Sequence, residues 1–302
     1  MAYFLAVANR KGGVGKSTLS VMLAQSFAVW SKMRVLVLDL DSQCNASLIL
    51  VGGQGWNDAR KAGKTISDYF YDLFDGTPVQ PRDYLLANIG DVHDGSGRPP
   101  RLALLPGSLL LEDIQGELYL RQARESHIPD VVATRVRGRI ETLLRRFAGS
   151  FDLVVLDCAP GLSFAALAAL KTAAKVLVPF RPDYVSQLAV DRIALLIEEK
   201  ASIDDLAEIP FDARRYVCVP NGVRAVGKDR LLIEEIGLLH PMLETVMPHK
   251  DSIANAFDWT PRLASIEQKY GDGVVDLHRL HDEIAPWLAA PGVSGQRLAA
   301  IA

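Results

Sequence analysis

The chain has 302 residues, 33 Lys and Arg against 36 Asp and Glu, a formal net charge of −3, and 49% hydrophobic and 23% charged residues. This composition is that of an ordinary soluble globular protein, long enough for one large α/β domain, and it excludes disordered, collagen-like and disulfide-stapled classes. The near balance of charge excludes a wholly basic nucleic-acid coat but leaves room for a local basic patch.

Tyr3 to Ala8 is a short apolar run of the kind that forms a buried strand. After a Gly-rich turn, Leu19, Met22, Leu23, Ser26, Phe27 and Trp30 recur every three or four residues, which is one face of a helix. Arg34 to Leu38 is a second strand, and the strand–helix–strand succession implies a parallel sheet with a right-handed crossover. Gly52 to Asp94 is Gly-rich, with one helix expected around Ile66 to Phe74 and an exposed loop from His93 to Arg101. Leu102 to Leu105 reads as a strand ending at Pro106, Val131 to Phe147 as an Arg-studded helix, and Leu153 to Leu156 as another buried strand. A βα rhythm resumes with helix Phe164 to Thr172, strand Val176 to Val178, helix Val185 to Lys200 and strand Tyr216 to Val219. A strand near Leu243 to Val246 and a helix from Val274 to Leu288 complete the pattern. The expected fold is a doubly wound, mostly parallel α/β sheet with helices on both faces. Residues 1–290 are expected to form one domain with a variable insertion near 52–100, followed by a tail at 291–302.

Between the first strand and first helix lies Lys11-Gly12-Gly13-Val14-Gly15-Lys16-Ser17-Thr18. There a strand's carboxyl end meets a helix N-terminus, whose free N–H groups and dipole attract anions. Glycines permit backbone angles and close approach that a Cβ would block. In this pattern Lys16 reaches the β- and γ-phosphates and the Ser17 hydroxyl ligates Mg²⁺. The ordinary motif has glycine where Arg10 stands, and this chain adds a second lysine, Lys11. The Lys-Gly-Gly-x-Gly-Lys-Ser form resembles the deviant Walker A loop of the ParA/MinD family of P-loop ATPases. The resemblance implies ATP and Mg²⁺ as ligands and a nucleotide-sandwich homodimer in which Lys11 acts across the interface on the partner's nucleotide.

Two acidic motifs accompany the loop. Asp39 and Asp41 end the second strand, where active groups collect in such sheets, although an aspartate there can also cap a turn. The resemblance makes Asp41 the residue that positions the attacking water and Asp39 a support of the metal shell, with Ser42 where the family has proline. Asp157, ending Leu153-Val-Val-Leu-Asp, suits the Walker B role of holding Mg²⁺ through water. By the same resemblance Asn221 and Pro248 fall where adenine is contacted, although both segments also read as simple turns.

The family divides by what the dimer grips. For a membrane, the polar face of 274–288 carries Asp276, Arg279, Asp282 and Glu283, the wrong sign for anionic lipid, and no stretch reaches the ~18 apolar residues of a span. With no signal-peptide pattern, a cytoplasmic protein, nucleoid-associated when ATP-bound, is expected. For DNA, residues 211–230 hold Arg214, Arg215, Arg224, Lys228 and Arg230 against two acids, and residues 121–146 hold seven arginines against three. Either could neutralise phosphates, and either could be a plain solvated face. The sequence is therefore identified as resembling a ParA-like partition ATPase with nonspecific DNA and a ParB-like or other cargo adaptor as partners. The alternatives are a metabolic ATP-dependent amidase or ligase of related fold, a MinD-like membrane-associated ATPase and, last, an Fe–S carrier. The last is disfavoured because Cys44, Cys158 and Cys218 lie far apart without ligand spacing.

Overall fold

Period-two alternation sets the architecture. In β1 (Tyr3–Val7), Phe4 and Ala6 join one apolar layer and Leu5 and Val7 the other. The same division runs through β2 (Val35–Leu40) and β5 (Leu153–Cys158), so these strands are buried on both faces, as central parallel strands must be. The computed structural model describes residues 2–126, 128–224 and 227–290; the tail expected at 291–302 lies outside them.

The elements alternate along the chain. α1 (Lys16–Val29) joins β1 to β2, and α2 (Asn45–Lys61) and α3 (Ile66–Phe74) lead to β3 (Leu86–Ala87) and β4 (Leu102–Leu105). α4 (Leu111–Ala123) and α5 (Pro129–Arg145) precede β5; α6 (Phe164–Thr172), β6 (Lys175–Phe180), α7 (Ser186–Glu198) and α8 (Ile203–Ala207) follow it. β7 (Tyr216–Val223), α9 (Gly227–Gly237), β8 (Met247–Pro248), α10 (Asp251–Asn255), α11 (Ile266–Tyr270) and α12 (Val274–Ala289) complete the succession. The strands form an eight-stranded sheet in the order β3-β4-β2-β5-β1-β6-β7-β8, parallel except for β3. β5 lies between β1 and β2, so the β1 and β2 carboxyl ends flank that of β5 at one sheet edge, with Asp39 directly opposite Asp157 in register.

Several local expectations change. α1 is buried on all sides from Leu19 to Val29, because it is enclosed by the sheet, α2, α11 and α12. The segment after Gly52 is largely helical: α2 runs through Gly52, whose φ of +68° kinks it and brings the backbone against the Trp259 ring. The 52–100 region is also integrated into the core, since Tyr69, Phe70 and Tyr84 pack in one apolar layer and Val92 in the other. Asp91, buried, ion-pairs with buried Lys269 of α11 and so ties this region to the end of the fold. The last strand lies at 247–248 instead of 243–246, because the Glu244 and Thr245 amides bond to the Glu283 carboxylate of α12. α12 packs Leu277, Leu280, Ile284 and Leu288 into the core against α1. Among the described residues no helix is long and apolar enough to cross a membrane.

Candidate nucleotide-binding site

The loop after β1 is shaped by its glycines. Gly13 and Gly15 have φ of +70° and +88°, in the left-handed region that favours glycine. Gly15 also caps α1, and a Cβ there would lie 2.1 Å from Asn221 Nδ2. That amide donates to Val14 O at 2.8 Å, so Asn221, expected beside adenine, braces the loop from β7. Pro248 in β8 pairs with Val223, and the cleft described below is not lined by it. Asn9 secures the start of the loop by donating to Pro179 O at 2.8 Å and accepting from the Lys11 N–H at 3.0 Å.

The loop forms one wall of a cleft of about 530 Å³. Gly12, Gly13, Gly15, Lys16, Ser17 and Thr18 lie on that wall, with Asp41 across from them, and Val14 turns into the core. Ile49, Pro160, Arg181 and Phe257 also line it. Arg181 and Phe257 were not singled out by sequence; they come from separate segments that only the tertiary fold unites. The Lys16 ammonium donates to Lys11 O at 3.1 Å. Burial pushes its pKa below the ordinary lysine value, while Asp157 and Asp41 pull it back.

The three aspartates have different surroundings. Asp41 accepts from the Gln43 N–H at 2.9 Å and faces the cleft. Asp39 is fully buried, with Oδ2 accepting from the Ser47 N–H at 2.9 Å and the Ser47 hydroxyl at 2.6 Å, and Oδ1 accepting from the Asp41 N–H. It lies against Gly107, where an added Cβ would meet its carboxylate at 2.8 Å. Both oxygens accept hydrogen bonds from the protein, and Asp39 ties β2 to α2 and to the turn after β4. Asp157 is also fully buried; Oδ1 accepts from Ser20 Oγ at 2.9 Å, and Oδ2 has no hydrogen-bond partner. Burial raises both carboxyl pKa values; for Asp157 the neighbouring Asp39 charge adds to this, while the Ser17 and Ser20 hydroxyls oppose it.

An orphaned buried carboxylate oxygen beside the Ser17 hydroxyl suits a divalent cation or its bound water, and these hard oxygen donors suit Mg²⁺. Mg²⁺ retains waters and takes ligands from phosphates, so it needs no cage of protein carboxylates.

Lys11 points elsewhere. Its ammonium is ion-paired with Asp183 in the turn before α7 and lies 3.5 Å from Ser186 Oγ. Burial pushes the Asp183 carboxyl up, but hydrogen bonds from Lys11 and Ser186 hold it below the usual range.

Of the five cationic residues expected at a DNA surface, two are internal. Arg214 is buried and donates to Leu206 O at 3.0 Å, Ile209 O at 3.0 Å and Leu239 O at 2.7 Å. Arg215 donates to Leu170 O, Ala173 O and Ile197 O. Both hold helix ends and loops onto β7, Arg214 buried and Arg215 half-buried, with their guanidinium groups engaged by backbone carbonyls. Arg224, Lys228 and Arg230 are exposed near the start of α9. The three cysteines are buried and free, and burial raises their thiol pKa values, that of Cys44 to about 12.

A family model described as an AAA domain matches residues 2–205. An uncharacterized protein of Pseudomonas putida is 30% identical over 280 residues, covering 90% of each chain. The chromosome-partitioning ATPase Soj of Thermus thermophilus is 32% identical over 198 residues, which cover 65% of this chain and 61% of Soj. Among solved structures, the septum site-determining protein MinD of Pyrococcus horikoshii, complexed with Mg-ADP, shares the fold with a TM-score of 0.64. It is 16% identical, over 94% of this chain and 96% of that one.

Proposed function

The chain belongs to the ParA/MinD family of AAA-domain P-loop ATPases, and from that premise we propose that it binds Mg·ATP, dimerises face to face, binds DNA without sequence preference and hydrolyses ATP slowly to partition or position a cargo. The observation that carries the reading is the cleft itself: a glycine loop, Lys16 and Asp41 line one cavity, and the buried, unpartnered Asp157 oxygen lies at the end of the strand next to β1. The N–H groups at the start of α1 and Lys16 bind the phosphates, and Asp41 accepts a hydrogen bond from the attacking water and aligns it with the γ-phosphate. Ser17 and, through water, Asp157 would hold Mg²⁺, which would supply neutralisation of the phosphate charge.

Dimerisation is supported by the surface around the cleft. Leu109, Leu110, Leu162, Tyr184, Val185 and Leu188 are all exposed, and all sit in the turns after β4, β5 and β6 or in the first turn of α7, at the sheet edge that carries the loop. A rim of large apolar side chains on one edge is what a second copy would cover. Lys11 on the same edge would leave Asp183 to reach the partner's phosphates, so nucleotide and assembly are linked. A separately encoded ParB-like or other adaptor then accelerates turnover, and ATP-bound dimers associate with the nucleoid in the cytoplasm. The MinD-like membrane reading is disfavoured because the apolar face of α12 is packed against α1.

The test is solution mass and phosphate release with ATP, ADP and no nucleotide, with and without a nonspecific duplex. ATP-dependent dimers that bind the duplex are expected. Lys16→Ala should abolish nucleotide binding. Lys11→Ala should retain it while losing stimulated turnover. A monomer in every nucleotide state would remove the sandwich dimer from the account.

A further inference from the structure

The geometry points to the exposed face of α5 as the principal surface on which this protein meets the phosphate backbone of duplex DNA, an inference that rests on the DNA-binding reading above. Along α5, Arg135, Arg139 and Arg146, the residue after its last turn, recur at three- to four-residue multiples and share one edge of the solvent side, with Arg145 beside them. All four are exposed. Arg135 reaches Glu125 only at 3.5 Å, and among the described residues Arg139, Arg145 and Arg146 have no carboxylate partner. The acids of the helix do not cancel them: Asp130 sits in the first turn, and one oxygen of Glu141 is buried away from solvent.

What lies between the arginines narrows the partner. Thr134, Gly138 and Thr142 are exposed on that side, and nothing lies within 4 Å of where a Gly138 side chain would begin. Small residues let a phosphate backbone approach the guanidinium groups closely. A lipid surface would instead require large apolar side chains to insert between the cations; the exposed apolar side chains of this helix and its N-cap, Val131 and Ile128, lie before its first arginine, and none is exposed from Thr134 to Arg146. The helix measures ~25 Å at 1.5 Å per residue, enough for its guanidinium groups to follow several phosphates.

The competing surface near α9 is partly occupied. Arg230 is ion-paired with Glu234 at 2.9 Å, and the Lys228 ammonium lies 4.3 Å from the centre of the Tyr184 ring, which leaves Arg224 as the one cation of the three whose side chain has no partner among the described residues. Each copy in a dimer would bring its own α5 face, so ATP-driven assembly doubles the number of phosphates neutralised by one particle.

The experiment compares the wild type, Arg135→Gln/Arg139→Gln/Arg145→Gln and Arg224→Gln/Lys228→Gln/Arg230→Gln, each with ATP. The readouts are affinity for a nonspecific duplex across a salt series and solution mass, with binding to phosphatidylglycerol vesicles as a further arm. Each lost phosphate contact flattens the slope of log affinity against log salt by about 0.9, so the α5 triple variant should flatten it by roughly 2–3 and bind on the order of 100-fold more weakly at 0.1 M salt. Its ATP-dependent mass should be unchanged, and the α9 variant should flatten the slope by less than about 1. Wild-type DNA binding that survives in the α5 variant overturns the inference while leaving the partition reading intact. So does an α5 variant that loses vesicle binding alone. Absence of DNA binding by an ATP-dimeric wild type overturns both the α5 surface and DNA as the substrate of the switch.

Discussion

Residues 121–146 and 211–230 carry a similar surplus of positive charge, but the fold keeps the α5 arginines outside and turns two of the second segment's, Arg214 and Arg215, inward. In α5 the arginines stand on the solvent side of a helix whose inner face is Val132, Val136, Ile140, Leu143 and Leu144. In the other segment, Arg214 and Arg215 directly precede β7, where neighbouring helices end and leave carbonyl oxygens without intrahelical partners. A guanidinium presents five donors in a planar fork and can satisfy several such carbonyls at once. A charge count therefore locates cations but cannot tell a phosphate-binding arginine from one that closes the ends of helices.

The largest effect that sharpens this contrast is on stability. Arg214→Ala removes a buried guanidinium and its bonds to Leu206 O, Ile209 O, Leu239 O and Tyr216 Oη. Leu206 O keeps the Ile209 N–H, so Ile209 O and Leu239 O lose their side-chain donor, and with bonds to a charged group contributing ~1.5–3 kcal/mol and incomplete additivity a loss of about 3 kcal/mol is expected in urea unfolding. Arg139→Gln on α5 should change stability by no more than about 0.5 kcal/mol. Equal losses for the two variants would break the comparison.

The same distinction between committed and uncommitted charge separates the two buried carboxylates. Asp39 accepts three hydrogen bonds, two of them from Ser47, so Asp39→Asn, which turns one acceptor into a donor, should cost about 2 kcal/mol in the nucleotide-free protein. Asp157→Asn replaces a carboxylate whose Oδ2 is unpartnered. It should be stability-neutral or stabilising by about 1 kcal/mol near pH 8, while weakening Mg·ATP binding measured calorimetrically.

A pH profile checks the electrostatic half of this argument. Burial raises both carboxyl groups above their ordinary value of 3.8, so between that value and the folded-state one the native protein binds more protons than the unfolded chain. Stability contributed by these groups is complete below pH 3.8 and lost as the pH rises through the raised folded values. The difference in unfolding free energy between the wild type and Asp157→Asn should accordingly grow in favour of the variant as pH rises from weakly acidic to weakly alkaline. A flat difference would mean that Asp157 is ionised without cost.

What could be read from the sequence follows from how local each signal is. The phosphate loop lies in eight consecutive residues, and its glycines and lysines announce the chemistry unaided. α3 and α6 have the ranges the sequence implied, because Thr65 and Ser163 cap them and apolar residues follow at helical spacing. α4 was hidden because glutamines share its buried face: Gln115 and Gln122 lie inward with Leu111 and Leu118, and Gln115 accepts from the Ala165 N–H. α2 was hidden by its glycines, whose kink is accommodated against Trp259 from a distant segment. The ion pair of Lys11 with Asp183, the closure of Asp39 by Ser47 and Gly107, and the carbonyl acceptors of Arg214 are likewise tertiary. A loop's composition announces its chemistry, while the commitment of each charge depends on neighbours that sequence spacing does not reveal.

The smallest expected effect tests what remains of the second basic segment. Arg230 is exposed and sits one helical turn before Glu234, bonded at 2.9 Å. Such an exposed i,i+4 pair contributes about 0.3–0.5 kcal/mol, so Arg230→Gln should scarcely move the unfolding midpoint. Its DNA effect should be equally slight, because a phosphate would compete with Glu234 for the same guanidinium and the released carboxylate would then repel the backbone. A change of less than about threefold in duplex affinity at 0.1 M salt is expected, with Glu234→Gln strengthening binding by a similar factor as the repulsion is removed. If Arg230→Gln alone weakened binding tenfold, the pair would be a latch that DNA opens, and the two arginine-rich segments would differ in how their charge is released instead of in which way it faces.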